Sequence, residues 1–288
     1  MSAVTPVSLP RARSLPARSS WNWRGGLTAA YATEAGSGRS RNEDCCSHEP
    51  SADEPGFCGV ADGVGGGVHG EIASSVLLAY CAEASRDTYR DPERLKNWLV
   101  RADHLVQQAI ARRSSQSGAA TLAAAWFPSP GVAYLLNVGD CRVYQLRPQR
   151  RSYAIQQLTV DQTYASLEQQ PPPQGKPDDP ARMVGTGALG EPPVLKAQLR
   201  ERELLLLCSD GLHKFLPDEQ MAEVVASGLG RGSSLAAICG ALVRAAKRNG
   251  SHDDASVLLV LRRPWFAALR TLAARLARRQ AGTPRRRT

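Results

Sequence analysis

The chain has 288 residues, of which 42% are hydrophobic and 22% are charged, and this balance suits one globular domain with terminal extensions. Its formal net charge is +9, but residues 1–24 contain four arginines and residues 262–288 contain nine, with no acid in either segment. The stretch between them is therefore acidic, which argues against a core that binds nucleic acid.

Other simple features of the sequence narrow the class of protein further. No apolar run approaches the roughly 20 residues that span a bilayer, and the N-terminus lacks the apolar segment of a secretory signal. The seven cysteines form no CxxC pair, which favours reduced thiols in the cytoplasm over a disulfide framework or a zinc site. Arginine outnumbers lysine by 31 to five, a bias common in GC-rich bacterial genomes.

The first half of the chain predicts an arm, two strands and two helices. Residues 1–24 are rich in Pro, Ser and Arg, which is typical of a flexible arm. Strand-like patterns follow at 25–36 and 57–62. Apolar residues at helical spacing then predict helices from about Gly70 to Ser85 and from about Pro92, a favourable first helical residue, to Arg113.

The second half predicts mostly strands, interrupted by one long loop. Four closely spaced strand patterns with tight turns between them favour an antiparallel meander; they cover 119–127, 132–138, 141–147 and 152–158. The segment 162–194 is unusually long and Pro-rich for a loop in a compact domain, and such loops are usually functional or disordered.

The end of the domain predicts a return to alternating strands and helices. A buried strand at 203–209 precedes helices at about 217–226 and 233–248, and a final strand begins at 255. Runs of strands and runs of helices in this order predict an α+β layered domain.

Five separated acidic clusters lie at turns or at the edges of apolar runs. Hard divalent cations such as Mg²⁺ and Mn²⁺ prefer oxygen ligands, and a rigid strand end can aim a carboxylate into a shared cleft. One Asp-Gly after a strand is usually only a turn, but five such edges in one chain predict a cation site. The clusters are Glu43-Asp44, Asp62-Gly63, Asp140, Asp210-Gly211 and Asp253-Asp254.

Eight motifs follow one another over residues 26–262: RSRNED, DGVGG, SGAATLAAA, NVGDCRVYQL, LTVDQT, GALG, LLLLCSDGL and HDDASVLLV. Their order resembles the bacterial branch of the metal-dependent protein serine/threonine phosphatases, the PPM or protein phosphatase 2C family. The resemblance implies a four-layer α-β-β-α sandwich of two antiparallel sheets flanked by helices. It also implies a metal centre in a cleft at one edge of the sheets.

The resemblance implies a role for each central acid. Asp62 would bridge two Mn²⁺ or Mg²⁺ ions, and the Gly63 carbonyl would bind one of them. Asp210 and Asp253 would hold the other ion. Two such ions clamp phosphate oxygens and lower the pKa of a bridging water, which then attacks phosphorus in line.

The same resemblance implies that the remaining acids act outside the direct ligands of the two ions. Glu43 and Asp44 would act largely through metal-bound water. Asp140 matches the position that, together with Asp210, supports a third and weaker ion in bacterial members. The alternative for Asp140 is a simple cap of the turn between two strands of a hairpin.

Arg39 matches the arginine that grips the substrate phosphate in the family. A guanidinium is permanently charged and offers phosphate oxygens a bidentate contact. Arg41 stands two residues away and is the alternative candidate, so one of the pair is expected to be a solvated surface residue.

The sequence departs from the family at three places. Gly67 and Val64 stand where many relatives have a histidine, in the animal proteins a proposed general acid. His69 either reaches the cleft in their place or lies on the surface. The last motif usually reads DN, whereas Asp254 here either adds negative charge near the metals or is exposed.

The resemblance implies an enzyme that hydrolyses phosphoserine and phosphothreonine on proteins and so reverses a bacterial Ser/Thr kinase. The alternative is a pseudophosphatase that binds a phosphoprotein as a scaffold. A pseudophosphatase normally loses metal ligands, and this chain retains every acid named above, which favours the enzyme. Phosphorylated proteins are the expected partners, and the cytoplasm is the expected location.

The predicted organisation is a basic arm at 1–24, a catalytic domain at 25–263 with a flap at about 162–194, and a basic tail at 264–288. The flap is expected to affect which phosphoprotein docks. The tail can form an amphipathic helix, which can pack on the domain or on a partner, lie peripherally on an anionic membrane, or remain disordered. Its apolar stripe consists of Trp265, Leu269, Leu272 and Leu276.

Overall fold

The computed structural model describes residues 18–22, 26–49, 56–65, 68–113, 117–187 and 189–264. The strands in these ranges are β1 (Arg18–Asn22), β2 (Leu27–Glu34), β3 (Cys45–Glu49), β4 (Phe57–Val64), β5 (Ala119–Ser129), β6 (Val132–Val138), β7 (Arg142–Pro148), β8 (Tyr153–Gln157), β9 (Val194–Gln198), β10 (Leu204–Cys208) and β11 (Ala255–Arg262). The helices are α1 (Val68–Ala82), α2 (Arg86–Tyr89), α3 (Pro92–Ala111), α4 (Asp210–His213), α5 (Asp218–Gly230) and α6 (Leu235–Arg248).

Two antiparallel sheets face each other between two layers of helices. The six-stranded sheet has the order β1-β2-β11-β10-β7-β8, and the five-stranded sheet has the order β3-β4-β5-β6-β9. Separate apolar layers lie between α1–α3 and the five-stranded sheet, between the two sheets, and between the six-stranded sheet and α5–α6. The predicted α+β fold with its α-β-β-α order is confirmed.

The long helix α3 shows how the local sequence sets an element. Asp91 accepts a hydrogen bond from the backbone N–H of Glu93 at 3.0 Å, and Pro92 follows as the first helical residue, where its missing N–H costs nothing. Leu95 and Leu99 on the inner face are buried. The predicted start at Pro92 is confirmed, and the helix ends two residues before the predicted Arg113.

The four strands at 119–158 do not form one meander, so that prediction is wrong. β5 pairs with β6 in the five-stranded sheet, whereas β7 pairs with β8 in the six-stranded sheet. The chain crosses between the sheets at residues 139–141, where Gly139 has φ +82°. Leu135 of β6 and Val143 of β7 therefore both lie in the apolar layer between the two sheets. This arrangement buries the inner apolar faces of both strand pairs, which a single meander could not do.

Part of the predicted flexible arm is also corrected. Residues 18–22 form β1, which pairs with β2 along five residue pairs and lies at one edge of the six-stranded sheet. The rest of the predicted arm, 1–17 and 23–24, and the tail from 265 onward lie outside the described residues.

The predicted flap is a long irregular loop that ends where β9 begins, at Val194. Val184 makes an isolated bridge with Ala120 of β5. Asp103, buried on α3, accepts hydrogen bonds from the backbone N–H of Gly185 at 2.6 Å and of Gly187 at 3.1 Å. The bridge and these hydrogen bonds hold the second half of the flap against the domain.

Two further features bear on the environment of the chain. None of the described helices combines the length and the apolar character that crossing a membrane requires. All seven cysteines are free thiols, and every one except the partly exposed Cys45 is buried.

We expect Asp103→Ala to lower the free energy of unfolding by about 2–4 kcal/mol, because it leaves two backbone donors without their acceptor. It is also expected to speed proteolysis within 162–193. Chemical denaturation and limited proteolysis measure the two effects. Asp178→Ala, which removes an exposed acid of the same loop, is the matched control; an equal effect of both variants would contradict the anchoring role of Asp103.

Candidate metal centre

The acidic clusters converge on one end of the sandwich because of the strand order. β4 carries Asp62 near its C-terminal end, and its antiparallel partner β3 begins directly after Asp44. Likewise β10 ends before Asp210, and its antiparallel partner β11 begins directly after the pair at 253–254. Antiparallel neighbours bring the end of one strand beside the start of the next. The crossover places Asp140 at this same end, so it does not cap a simple hairpin.

The clusters line a cleft of about 520 Å³. Asp44, Gly211 and Asp254 are the cluster members that do not line it. Asp44 is buried and accepts a hydrogen bond from Ser209 Oγ at 2.7 Å. A second cavity of about 580 Å³ lies elsewhere, beside Gln145 and Arg147, and no predicted site residue lines it. The predicted site residues that line the acidic cleft are Arg39, Glu43, Asp62, Gly63, Asp140, Asp210 and Asp253.

Two glycines allow the backbone to approach closely at the floor of the cleft. A side chain on Gly63 would collide with the backbone of Gly70 in α1, and one on Gly70 would collide with the carboxylate of Glu43. The absence of both side chains leaves room for Glu43 and brings β4 against the start of α1. A need for close packing therefore explains Gly63 directly after Asp62.

Two buried carboxylate oxygens indicate that the donor set fits a hard cation. Asp44 Oδ1 and Asp210 Oδ1 have no hydrogen-bond donor in the part of the chain that the structure describes, although buried acceptors are normally satisfied. No three His, Cys, Asp or Glu side chains among the described residues already stand close enough to hold an ion. Mutual repulsion would oppose such a closed arrangement of like charges without a cation. The residues are gathered in one cleft, and their oxygens suit Mg²⁺ or Mn²⁺.

Burial and mutual repulsion shift the titration of these acids. Burial, with the charges of Asp254 and Asp210 adding to it, raises the pKa of Asp44 to about 7 against the opposing hydrogen bonds from two serines. Burial and the charge of Asp210 raise the pKa of Asp140 to about 6. Desolvation and the charges of neighbouring aspartates hold the pKa of Asp62 well above its usual range. A cation in the cleft would favour the charged forms.

Two residues of the site were missed in the sequence: His213 and Lys214. Lys214 Nζ donates to Asp210 Oδ2 at 2.8 Å and to Asp140 Oδ2 at 3.1 Å. Burial alone would raise the pKa of Asp210, but the charge and hydrogen bond of Lys214, with smaller contributions from His213 and Asp62, together outweigh burial and lower it. Burial lowers the pKa of His213 to about 4, so its neutral ring donates from Nε2 to the Asp140 carbonyl at 2.9 Å. The spacing of four residues between Asp210 and Lys214 was the available signal.

Arg39 lies at the rim of the cleft, held by both acids of the last motif. Its guanidinium is 2.6 Å from Asp253 Oδ1 and 3.1 Å from Asp254 Oδ2. Asp254 is buried and also accepts from the backbone N–H groups of Gly36 at 2.7 Å and Glu43 at 2.8 Å. Asp254 is therefore not exposed and does not line the cleft, but its negative charge adds to burial in raising the pKa of Asp44. Through these contacts, Asp254 fixes the position of the loop that carries Arg39 and Glu43.

The two alternative candidates differ in their relation to the cleft. Arg41 lines it but pairs with Glu71 at 2.8 Å in an exposed ion pair. Such pairs contribute little to stability. His69 is not among the described residues that line the cleft, and its Cβ lies against Gly118. This position favours the surface alternative for His69.

We expect the metal-free protein to lose stability, by roughly 1–4 kcal/mol, as the pH rises from about 4 to 7. The folded chain keeps a proton on Asp44 up to a pKa of about 7, whereas the unfolded chain releases it near the ordinary value, so folding binds protons in this window. Mn²⁺ is expected to reverse the trend, because metal binding requires the charged carboxylates.

Thermal unfolding in a chelator and in Mn²⁺ at several pH values from 4.5 to 7.5 measures this effect. Asp44→Asn is the control, since an amide does not titrate: the metal-free slope should become shallower, and the raised pKa values of Asp140 and Asp62 account for the slope that remains. A metal-free wild-type protein that gains stability across the same range would contradict the proton-linkage argument.

Known relatives are similar in sequence over most of the chain. The serine/threonine phosphatase stp of Listeria monocytogenes is 27% identical over 250 residues, which cover 82% of this chain and 96% of that protein. The serine/threonine protein phosphatase PstP of Mycobacterium tuberculosis is 28% identical over 215 residues, which cover 69% of this chain and 39% of that protein.

Among solved structures, the catalytic domain of PstP in complex with two manganese ions has a TM-score of 0.65 and 22% identity, and the match covers 82% of this chain and 97% of that domain. At that identity, the likeness shows the fold alone.

The family match covers the larger part of the domain. Residues 57–263 match the family described as Stage II sporulation protein E (SpoIIE). This range runs from the start of β4 to the end of β11 and contains Asp62, Asp140, Asp210 and Asp253. The resemblance to metal-dependent phosphatases that the motif order indicated is confirmed. The chain belongs to the SpoIIE family of protein phosphatase 2C-like phosphatase domains.

Proposed function

We propose that the chain hydrolyses phosphoserine and phosphothreonine esters on proteins, using two Mn²⁺ or Mg²⁺ ions held in the acidic cleft. The observation that carries this proposal is the convergence of acids from five strand edges on one cleft. Asp210 Oδ1 in the cleft and Asp44 Oδ1 behind its lining have no donor among the described residues. The named phosphatase relatives support the same chemistry.

The proposed ligands divide into an inner and an outer group. Asp62 and the Gly63 carbonyl lie at the floor of the cleft, and Asp210 and Asp253 enter from the neighbouring sheet. Glu43 and Asp44 form the outer group, for which we propose contact through water. When bound, the ions supply Lewis acidity and activate a water for attack on phosphorus.

We assign substrate-phosphate binding to Arg39. Its side chain is 41% exposed at the rim, so an arriving phosphate can reach the guanidinium. Asp253 and Asp254 orient the guanidinium plane before substrate arrives, which limits the rotamer entropy that binding would otherwise cost. Arg41 lacks this support, because its partner Glu71 is itself exposed.

The acid set separates this proposal from the pseudophosphatase alternative. A scaffold that only binds phosphoproteins would tolerate the loss of Asp62 or Asp210, yet both are present and line the cleft. The burial of several neighbouring carboxylates is destabilising without a cation. Because the chain keeps these carboxylates despite their destabilising effect, the site favours an enzyme that uses divalent ions over a scaffold.

We further propose that the substrates are cytoplasmic phosphoproteins of a cognate bacterial Ser/Thr kinase. The free and mostly buried thiols support a reducing compartment. The flap reaches the cleft through Pro180, which supports a role in docking the phosphoprotein. The acidic middle of the chain makes nucleic acid an unsuitable substrate. A peripheral contact through residues 264–288 remains a prediction.

We expect Asp62→Asn and Asp210→Asn each to lower Mn²⁺-dependent hydrolysis of p-nitrophenyl phosphate by at least about 100-fold, because each change removes an anionic ligand. Asp87→Asn, at an exposed position of α2, is the control. Turnover with and without Mn²⁺ is the measurement, on variants whose fold is verified by circular dichroism. Near-normal turnover of either cleft variant at saturating Mn²⁺ would exclude the two-ion centre.

We expect Arg39→Ala to raise the KM for a phosphopeptide by about 10-fold and to lower kcat less, since a phosphate contact made in the ground state contributes mostly uniform binding. Arg41→Ala is the matched control for loss of a neighbouring charge. Steady-state kinetics on a phosphothreonine peptide provide the test. A larger change in KM for Arg41→Ala would assign the phosphate contact to Arg41 instead.

A further inference from the structure

Lys214 joins two acids that come from different parts of the fold. Its Nζ lies 2.8 Å from Asp210 Oδ2 and 3.1 Å from Asp140 Oδ2. Asp140 belongs to the crossover between the sheets, whereas Asp210 opens α4 after β10. A single ammonium therefore binds the two carboxylates that, by the family resemblance, would support a third and weaker divalent ion.

The short helix α4 sets the position of the Lys214 ammonium. Lys214 is the C-terminal cap of α4, and its N–H donates to the Asp210 carbonyl at 3.0 Å. Side chains four residues apart on a helical turn face each other. The two acids are largely buried, with side chains 3% and 16% exposed, whereas the Lys214 side chain is 39% exposed. Attraction between opposite charges is stronger at such partly buried positions than in bulk water.

A divalent ion between these two carboxylates would compete directly with the ammonium. Such an ion needs carboxylate oxygens at about 2.1 Å, and Lys214 already uses the Oδ2 atom of each acid. The ammonium and the ion would also repel each other at a separation of a few ångströms. Asp210 keeps its other oxygen, Oδ1, which has no donor among the described residues and is available to the proposed two-ion centre.

We propose that Lys214 is a built-in monovalent cation that takes the place of a third divalent ion between Asp140 and Asp210. The inference rests on the proposed divalent centre and limits it to two ions. Asp140 then acts as a partner of Lys214 and not as a metal ligand. The charge at this position is fixed by the chain and does not vary with the concentration of free metal.

The test counts Mn²⁺ ions bound to the full chain, using isothermal titration calorimetry and equilibrium dialysis with elemental analysis. We expect two ions per wild-type chain. Lys214→Gln, which keeps much of the side-chain length but removes the charge, is expected to bind a third ion. Its affinity for this ion should exceed that of any third site in the wild type by at least about 100-fold, because the repulsion is gone. Lys214→Arg keeps the charge and should still bind two.

Further variants identify the position of the extra ion and the role of the charge. Adding Asp140→Asn to Lys214→Gln is expected to remove the third ion, whereas Lys96→Gln, on the exposed face of α3, should leave the count at two. Without metal, Lys214→Gln is expected to unfold at a lower temperature than the wild type, and Mn²⁺ should stabilise it more than it stabilises the wild type.

Three results would overturn the inference. One is a wild-type chain that binds three Mn²⁺ ions with comparable affinity. Another is a folded Lys214→Gln chain that gains no third ion, and the last is a third ion that survives the added Asp140→Asn change. A wild-type chain that binds no Mn²⁺ at all would instead remove the proposed divalent centre itself, so the two failures are distinguishable.

Discussion

The concentration of buried negative charge at one end of the sandwich is the constraint on which the rest of the site depends. Moving a carboxylate out of water is costly unless it is protonated, paired or hydrogen-bonded, and the chain uses all three remedies. The raised pKa of Asp44 keeps a proton there, Lys214 pairs with Asp140, and backbone N–H groups satisfy Asp254. Bound divalent cations would compensate the negative charge of the acids that line the cleft.

This charge cluster exists only when both sheets are assembled. The hydrogen bond from the Glu43 N–H to Asp254 joins residues that are 211 positions apart in sequence. Asp62 comes from the five-stranded sheet and Asp210 from the end of a strand in the other sheet. The crossover at Asp140 is the point where the chain passes between the two layers. Cation binding at the cleft is therefore linked to the relative position of the sheets, and not only to local loops.

The sequence predicts the acids better than it predicts their partners. Asp62 and Asp210 stand out because each follows an apolar strand, and alternation of that kind is visible locally. Lys214 gave only the weak signal of its four-residue spacing from Asp210, and the buried Asp103 gave none, because a lysine after a short helix and an acid on a helix are ordinary until residues distant in sequence surround them. The crossover at Gly139 was misread as a hairpin turn for the same reason: a tight turn predicts a reversal, but not which sheet the next strand joins.

The arrangement of cysteines has a consequence for the chemistry of the intact protein. Burial raises the pKa of the thiols, to about 12 for Cys45, Cys81 and Cys239, so the thiolate that reacts with peroxide or with alkylating reagents is scarce. The thiols of the folded chain are therefore protected from oxidation, and they become reactive when the core opens. Thiol labelling would then report the opening rate of the sandwich without any engineered probe, and a cell under oxidative stress would damage unfolded copies before folded ones.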